Sequence, residues 1–397
     1  MRSIEVDVVV IGGGIAGLWT LSMLCKAGYK AILLEHDRIG QGQTLYSQGI
    51  IHGGLKYALG GMLSSEAEAI ADMPDLWRSC LQGKGPVDLQ GTKILSEHHY
   101  MWSDRSLAAR MTTFFGSKML RGRIESVEGS DRPELLQSSH FKGSVYRLND
   151  LVLDVPSLLQ QLMEQHKSCI FKTSDLNILY ETDDQLRTRS IILTPQHLEP
   201  IRIQPHWMVL TAGKGNQSIM NSLGIQQPTM QLRPLHMVLM RQAGLPPFYA
   251  HCIGTSSKPR ITITSHPDPE RGMLWYLGGD LAEQGVERDP MLQIDMAQRE
   301  LRHLFPWLDI SHAEWKTLRI DRAEAAQEQL LKPDNAFATL KGNVIIAWPT
   351  KLALAPDLGE RVLELLAEKQ FKPTAPAGEF DLPLPHPGLG TTLQELM

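Results

Sequence analysis

The strongest constraint on this chain lies in its first forty residues, where an apolar strand runs without a break into a glycine turn. Ile4-Glu-Val-Asp-Val-Val-Val-Ile11 alternates at first and then becomes continuously apolar and β-branched, the pattern of a strand buried on both faces. Gly12-Gly13-Gly14-Ile15-Ala16-Gly17 follows and reads G-x-G-x-x-G. Leu18–Gly28 then reads as a helix with Leu18, Leu21, Ser22, Leu24 and Cys25 on its inner side, and Ala31–Leu34 as a second strand ending at Glu35. Each glycine has a mechanical task. Gly12 permits the tight turn, Gly14 lets the backbone approach a pyrophosphate, and Gly17 lets helix and strand pack closely. The first amides of the helix face the phosphates, and Glu35 stands where a carboxylate accepts both ribose hydroxyls of an adenosine. The unit therefore reads as dinucleotide-binding, against the alternative of a glycine turn in an unrelated βαβ unit.

The next segment bears on which dinucleotide. A nicotinamide enzyme continues with another βα unit, whereas Gly40–Tyr57 is rich in Gly, Gln and Ser and has poor helix and strand propensity. Such a stretch suits backbone wrapped around an extended ligand. In Ser47-Gln-Gly-Ile-Ile-His-Gly-Gly-Leu-Lys-Tyr57 the chain resembles the D-amino-acid oxidase-like superfamily of FAD-dependent oxidoreductases. It is most similar to the glycerol-3-phosphate dehydrogenase and L-2-hydroxyglutarate oxidase branches, which carry a like Ser-x-Gly-(Val/Leu/Ile)-Ile-His-(Gly/Ala)-Gly run.

Further elements keep the family's order. Gly143–Leu159 is similar to its strand and helix start, and His206–Asn216, with Ala212-Gly213, to its second dinucleotide-contact strand. Trp315-Lys-Thr-Leu-Arg319 resembles Trp-x-Gly-Leu-Arg, while Gly342–Trp348 and Leu354–Leu366 resemble the closing strand and helix. There are departures. Thr317 replaces the glycine, Ile320 replaces the proline after the arginine, and Trp348-Pro-Thr-Lys-Leu352 stands where the family has a Gly-rich turn.

The resemblance implies an α/β fold: a discontinuous Rossmann-like FAD-binding domain of the glutathione-reductase type, and an α+β substrate domain with a mixed, mostly antiparallel sheet. The FAD domain is expected from residues 1–84, 151–225 and 325–370, the substrate domain from 85–150 and 226–324, with a proline-rich arm over 371–397. Alternating runs place strands at Gln231–Gln242, Arg260–Ser265 and Gly272–Gly278. Val155–Lys167 and Met291–Leu304 read as helices, the second with Leu292, Met296, Arg299 and His303 in step. His98-His-Tyr-Met-Trp102 alternates as a strand, which splits its histidines between faces and argues against a metal cluster. No metal site is expected.

Carried onto this sequence, the resemblance implies FAD contacts at Gly12, Gly14, Ile15, Ala16 and Gly17, at Glu35 and His36, and along Gln43, Thr44, Gln48, Gly49, Ile50 and His52. It adds Leu176, Ala212 and Gly213, then Thr350, Lys351 and Leu352.

Flavin dehydrogenation requires a group that holds the substrate, a manager of its proton and a stabiliser of reduced flavin. Arg319 is the candidate for the first, because a guanidinium fork matches carboxylate or phosphate. Its alternative is an ion pair with Asp309, Asp321 or Glu324. His52 is the candidate base, since an alcohol loses its O–H proton as hydride leaves. Covalent flavin attachment, as the dimethylglycine dehydrogenase branch suggests, or plain packing are its alternatives, and His236 and His251 are rival bases. Lys351 is the candidate at the flavin N1–C2=O edge, against an exposed loop lysine.

Composition narrows the partners. With 397 residues, 39 Lys plus Arg against 44 Asp plus Glu, and a charge of −5, nothing marks a nucleic-acid binder. Cys25, Cys80, Cys169 and Cys252 are scattered and read as free thiols of a cytoplasmic chain. No secretion signal or transmembrane segment is expected, and peripheral contact with the inner membrane face stays open. The expected activity is oxidation of a small acidic metabolite, a 2-hydroxy acid or phosphorylated polyol. An amine or amino-acid oxidase is the alternative within enzymes, and a flavoprotein binding or assembly component without turnover the alternative outside them. The electron acceptor (oxygen, quinone or an electron-transfer protein) is left open.

Overall fold

A computed structural model describes residues 1–54, 70–104, 124–174, 176–195, 199–254, 258–326, 335–374 and 380–397. The β-branched N-terminal run forms the strand Arg2–Ile11, central in an eight-stranded sheet. It pairs in parallel with Ala31–Glu35 on one side and Ile201–Leu210 on the other. Ile170–Lys172 extends the parallel set beyond Ala31–Glu35, and Val344–Trp348 extends it from the end of Ile201–Leu210. Hairpin Asn177–Thr182/Thr188–Thr194 and strand Phe337–Lys341 complete the sheet in antiparallel sense.

Both faces are covered, which is why the strand is apolar on both. Val8, Val10 and Leu33 pack with helices Ile15–Lys26, Val155–Gln165 and Ala355–Glu368, while Val9, Ile32 and Leu34 join Ile203, Met208, Met220 and Trp348 opposite. The helix Val155–Gln165 stops two residues short of its expected end, because Lys167–Cys169 winds more tightly as a 3-10 turn.

A second eight-stranded sheet runs in the order Glu314–Ala325, Met230–Gln242, Gly272–Gly278, Pro259–Asp268, Ala250–Ile253, His99–Ser103, Ser144–Leu148, Ile124–Ser126. Among the described residues, only the Ala250–Ile253/His99–Ser103 pair of this sheet is parallel. Helix Pro290–Leu304 packs on this sheet, but the face read from the sequence is the wrong one. Gln293, Ala297, Leu301 and Leu304 are buried, whereas Leu292 is exposed. Asp289 caps the helix through the amide of Leu292, setting a register one residue from the expected one.

A small third sheet joins Ile50–Ile51, Leu151–Leu153 and Ile94–Ser96. The C-terminal arm is extended, as its prolines require, and buries Leu382 and Leu384 against the first sheet. It exchanges backbone bonds with Ile39, whose amide donates to Gly388 and whose carbonyl accepts from Gly390. A turn of helix, Leu393–Leu396, then ends the chain under a Thr392/Glu395 capping box, with Leu393 buried beside Met237 and Tyr276.

Candidate functional site

The glycine turn sits at the carboxyl end of the central strand, as doubly wound sheets require of a ligand crevice. Gly12 has φ +106°, and a Cβ there would stand 2.6 Å from the backbone of Ala212. A Cβ on Gly17 would collide with the carbonyl of Gly12. Gly14 is different. A Cβ there would meet only the Thr44 hydroxyl, at 3.1 Å, and would otherwise project into open cavity. The helix that begins at Ile15 has no side-chain N-cap, so its first amides are left for a ligand, apart from that of Ile15, which donates to Thr44 Oγ1. Glu35 ends its strand in the same wall, its carboxylate accepting from the amides of Gly13 at 2.5 Å and Asp37 at 2.9 Å. This turn, acid and uncapped helix start fit an adenine dinucleotide.

The cavity measures about 920 Å³ and lies between the two large sheets. Its floor is the Gly40–His52 segment, stitched to the second sheet. Gln48 Nε2 donates to the carbonyls of Thr262 and Tyr276 at 3.2 and 3.1 Å, the Tyr276 hydroxyl donates to the Tyr46 carbonyl, and Gln43 Oε1 accepts from the Ala323 amide. Gly49 has φ +70° and presses against the carbonyl of Leu153, leaving no space for a side chain. Leu55, Lys56 and Tyr57 of the motif lie outside the described residues.

His52 emerges from this floor where the third sheet ends. The antiparallel register Ile51↔Leu151 brings His52 opposite Asp150. His52 Nδ1 is 3.3 Å from Asp150 Oδ2, and Asp150 Oδ1 accepts from the Gly53 amide at 2.8 Å. Both are buried, the carboxylate almost fully. A carboxylate accepting from Nδ1–H leaves Nε2 as the ring's acceptor, the tautomer a general base needs. His251 stacks on His52 with ring centroids 5.6 Å apart, and its Nδ1 lies 2.8 Å from Thr262 Oγ1. His99 follows at 4.2 Å from His251.

The other rival base lies elsewhere. His236 Nδ1 is 2.9 Å from the Gly285 carbonyl, outside the cavity lining, and burial lowers its pKa. Arg319 is opposite His236 on the neighbouring strand, and its guanidinium donates to the carbonyls of Val286 and Arg288. These carbonyls, rather than Asp309, Asp321 or Glu324, are its hydrogen-bond partners. Lys351 is half-buried in the cavity wall. The preceding Thr350 has φ +60°, a left-handed conformation natural to glycine. Trp348 fixes this turn by donating from Nε1 to the Gly213 carbonyl at 3.0 Å.

Of the residues the sequence nominated, all line the cavity except the rival base His236, Gly17, which packs behind the turn, and Leu176, which packs on the first sheet's core. Sequence reasoning did not nominate Asp150, Tyr46, Arg233, Lys258, Glu283 or Arg322. Asp150 had no local signal, since it meets His52 only through strand pairing; Arg233 lay within the alternating run Gln231–Gln242, and Arg322 three residues past the Trp315–Arg319 motif. Among the described residues no cluster of His, Cys, Asp and Glu suits a metal ion, and no helix is long and apolar enough to cross a membrane.

Residues 7–337 match the family model described as FAD dependent oxidoreductase. A probable FAD-dependent oxidoreductase of Pseudomonas aeruginosa is 46% identical over 385 residues, spanning 97% of this chain and 96% of that protein. The crystal structure of that protein superposes with a TM-score of 0.86, at 41% identity over 100% of this chain and 99% of the other. An aerobic glycerol-3-phosphate dehydrogenase of Staphylococcus saprophyticus is 24% identical over 202 residues, 47% of this chain and 34% of its own. Glycine oxidase from Geobacillus kaustophilus shares the fold at a TM-score of 0.63 and 15% identity, over 96% of this chain and 97% of that one.

Proposed function

The chain belongs to the FAD-dependent oxidoreductase (DAO) family, with FAD as its cofactor, and from that membership we propose that it oxidises the alcohol of a small anion, a 2-hydroxy acid or a phosphorylated polyol. Bound FAD supplies the hydride acceptor. The amides at the start of the Ile15–Lys26 helix would hold its pyrophosphate and Glu35 its ribose. The Gly40–His52 floor and the Trp348–Leu352 turn would hold the ring, with Lys351 at the flavin N1–C2=O edge.

The observation that carries the substrate class is His52 in the cavity wall with the buried carboxylate of Asp150 at its Nδ1. An alcohol gives up a hydroxyl proton as its C–H bond breaks, and His52 Nε2 accepts it. Asp150 fixes the ring's tautomer and stabilises the imidazolium that results. A neutral amine needs no such base and would leave the pair idle. The relationship to a glycerol-3-phosphate dehydrogenase supports the same reading.

The test is anaerobic mixing of the FAD-loaded protein with 2-hydroxy acids, phosphorylated polyols and amino acids, followed in the visible flavin band. Bleaching by a hydroxy compound supports the proposal. Bleaching by amino acids alone transfers the chain to the amine oxidases, and a yellow protein that none of them reduces favours a binding role. Admission of oxygen afterwards separates an oxidase from a dehydrogenase.

A further inference from the structure

We infer that Arg233 and Arg322 together form an anion-binding site in the cavity wall, and that this pair rather than Arg319 grips the carboxylate or phosphate of the substrate. The inference rests on the anionic substrate proposed above and names what would recognise it.

Strand geometry sorts the cations by face. Arg322 lies directly opposite Arg233 in the pairing of Glu314–Ala325 with Met230–Gln242. Side chains alternate along a strand, so Arg322 shares its face with Ile320, and Arg233 shares its face with Leu235 and Met237. That face looks onto the cavity floor: Ile320, Leu235 and Met237 belong to one apolar cluster with Tyr46, and a Cβ on Gly278 would touch both Met237 and Gln48. Arg319 also borders the cavity, but it falls on the other face of its strand beside His236, and both its terminal nitrogens already donate to the Val286 and Arg288 carbonyls. Its role is to prop that loop.

Two guanidiniums directly opposite one another on neighbouring strands repel. Acid is present but does not satisfy them tightly. Arg233 Nη1 is 3.3 and 3.4 Å from the Glu324 carboxylate, whose Oε1 accepts from Gln231 at 2.7 Å. Arg322 Nη2 is 3.6 Å from Glu283, and its Nε donates to the Arg233 carbonyl at 3.2 Å. Charge-assisted bonds between a guanidinium and a carboxylate close to about 2.7–2.9 Å, so both pairs are loose. Lys258 adds a third cation through Glu283. Three cations against two carboxylates leave a net positive wall, and all five residues line the cavity. Burial and the neighbouring Arg233 both press against the charge of Arg322, a strain that an entering anion relieves. A planar fork matches a carboxylate or a phosphate monoester bidentately.

The FAD-loaded protein should be titrated calorimetrically with inorganic phosphate and, separately, with acetate. The expected result is saturable binding of at least one, weakened about tenfold or more in Arg322→Gln and Arg233→Gln, the scale of one lost charge-assisted bond. Arg299→Gln, on the exposed side of helix Pro290–Leu304, should leave binding unchanged. Arg322→Lys keeps the charge without the fork, and a weakening there supports the inference even if the glutamine variants do not fold. No saturable binding in the unaltered protein, wild-type affinity in the arginine variants, or loss confined to Arg319→Gln would overturn it. So would a parallel loss of FAD from Arg322→Gln, which would assign the pair to the cofactor. If hydroxy compounds fail to bleach the flavin while phosphate or acetate binds through Arg322, only the alcohol reading falls. If they bleach it while Arg322→Gln keeps the wild-type KM, only this inference falls.

Discussion

His52 and Asp150 are 98 residues apart in the chain and 3.3 Å apart in the fold. The pairing of Ile50–Ile51 with Leu151–Leu153 makes that meeting, in a sheet of three short strands under the cavity. Asp150→Asn keeps the shape but removes the charge that selects the tautomer. Flavin reduction by the cognate hydroxy compound should slow by at least about tenfold, with FAD content unchanged. Stopped-flow absorbance measures it, and an undiminished rate would make the contact merely structural.

Gly14 and Gly17 separate cofactor binding from folding. Gly14→Ala places a methyl in the cavity with only Thr44 Oγ1 nearby, so the apoprotein should keep its thermal stability while FAD affinity falls about tenfold or more. Gly17→Ala drives its methyl into the Gly12 carbonyl and should lower the stability of the apoprotein itself, by about 1–3 kcal/mol. Thermal melts and FAD titration on both variants distinguish the two effects. The same loss of stability in both would contradict the assignment.

Much of this architecture was legible in the sequence, for identifiable reasons. The first βαβ unit could be read because its apolar run, glycine spacing and terminal acid are local and mutually consistent. Strand Gly272–Gly278 appeared at its expected bounds because alternation is a local signal as well. The Pro290–Leu304 helix was legible but its face was not, since Leu292 and Met291 are apolar yet exposed, and Gln293 is polar yet buried against the carbonyls of His236 and Leu281. Asp150, Arg233 and Arg322 belong to the site through cross-strand register, which no spacing along one chain reveals.

Thr350 carries strain at the site. Its φ of +60° is costly for a branched side chain, and its buried hydroxyl has no hydrogen-bond partner among the described residues. Thr350→Gly should raise stability by roughly 1 kcal/mol, seen as a higher melting temperature. A lower one would show that the hydroxyl or methyl makes a stabilising contact.

Burial holds His266 neutral, with its pKa lowered to about 4 from 6.5 and Nε2 3.2 Å from Thr264 Oγ1. Between those values the unfolded chain binds a proton that the folded one does not, so stability falls as pH falls. The contribution is whole above about pH 6.5 and gone below about pH 4. His266→Asn should flatten the fall of melting temperature across that window relative to the unaltered protein. Parallel curves would contradict the assignment.

The central claim is that His52 accepts the substrate's hydroxyl proton, and the most direct measurement is anaerobic flavin reduction in His52→Ala beside the unaltered protein, with the hydroxy compound that bleaches it. A fall of about 10²–10⁴ in the reduction rate is expected, with FAD retained and the fold intact. An unchanged rate would contradict it.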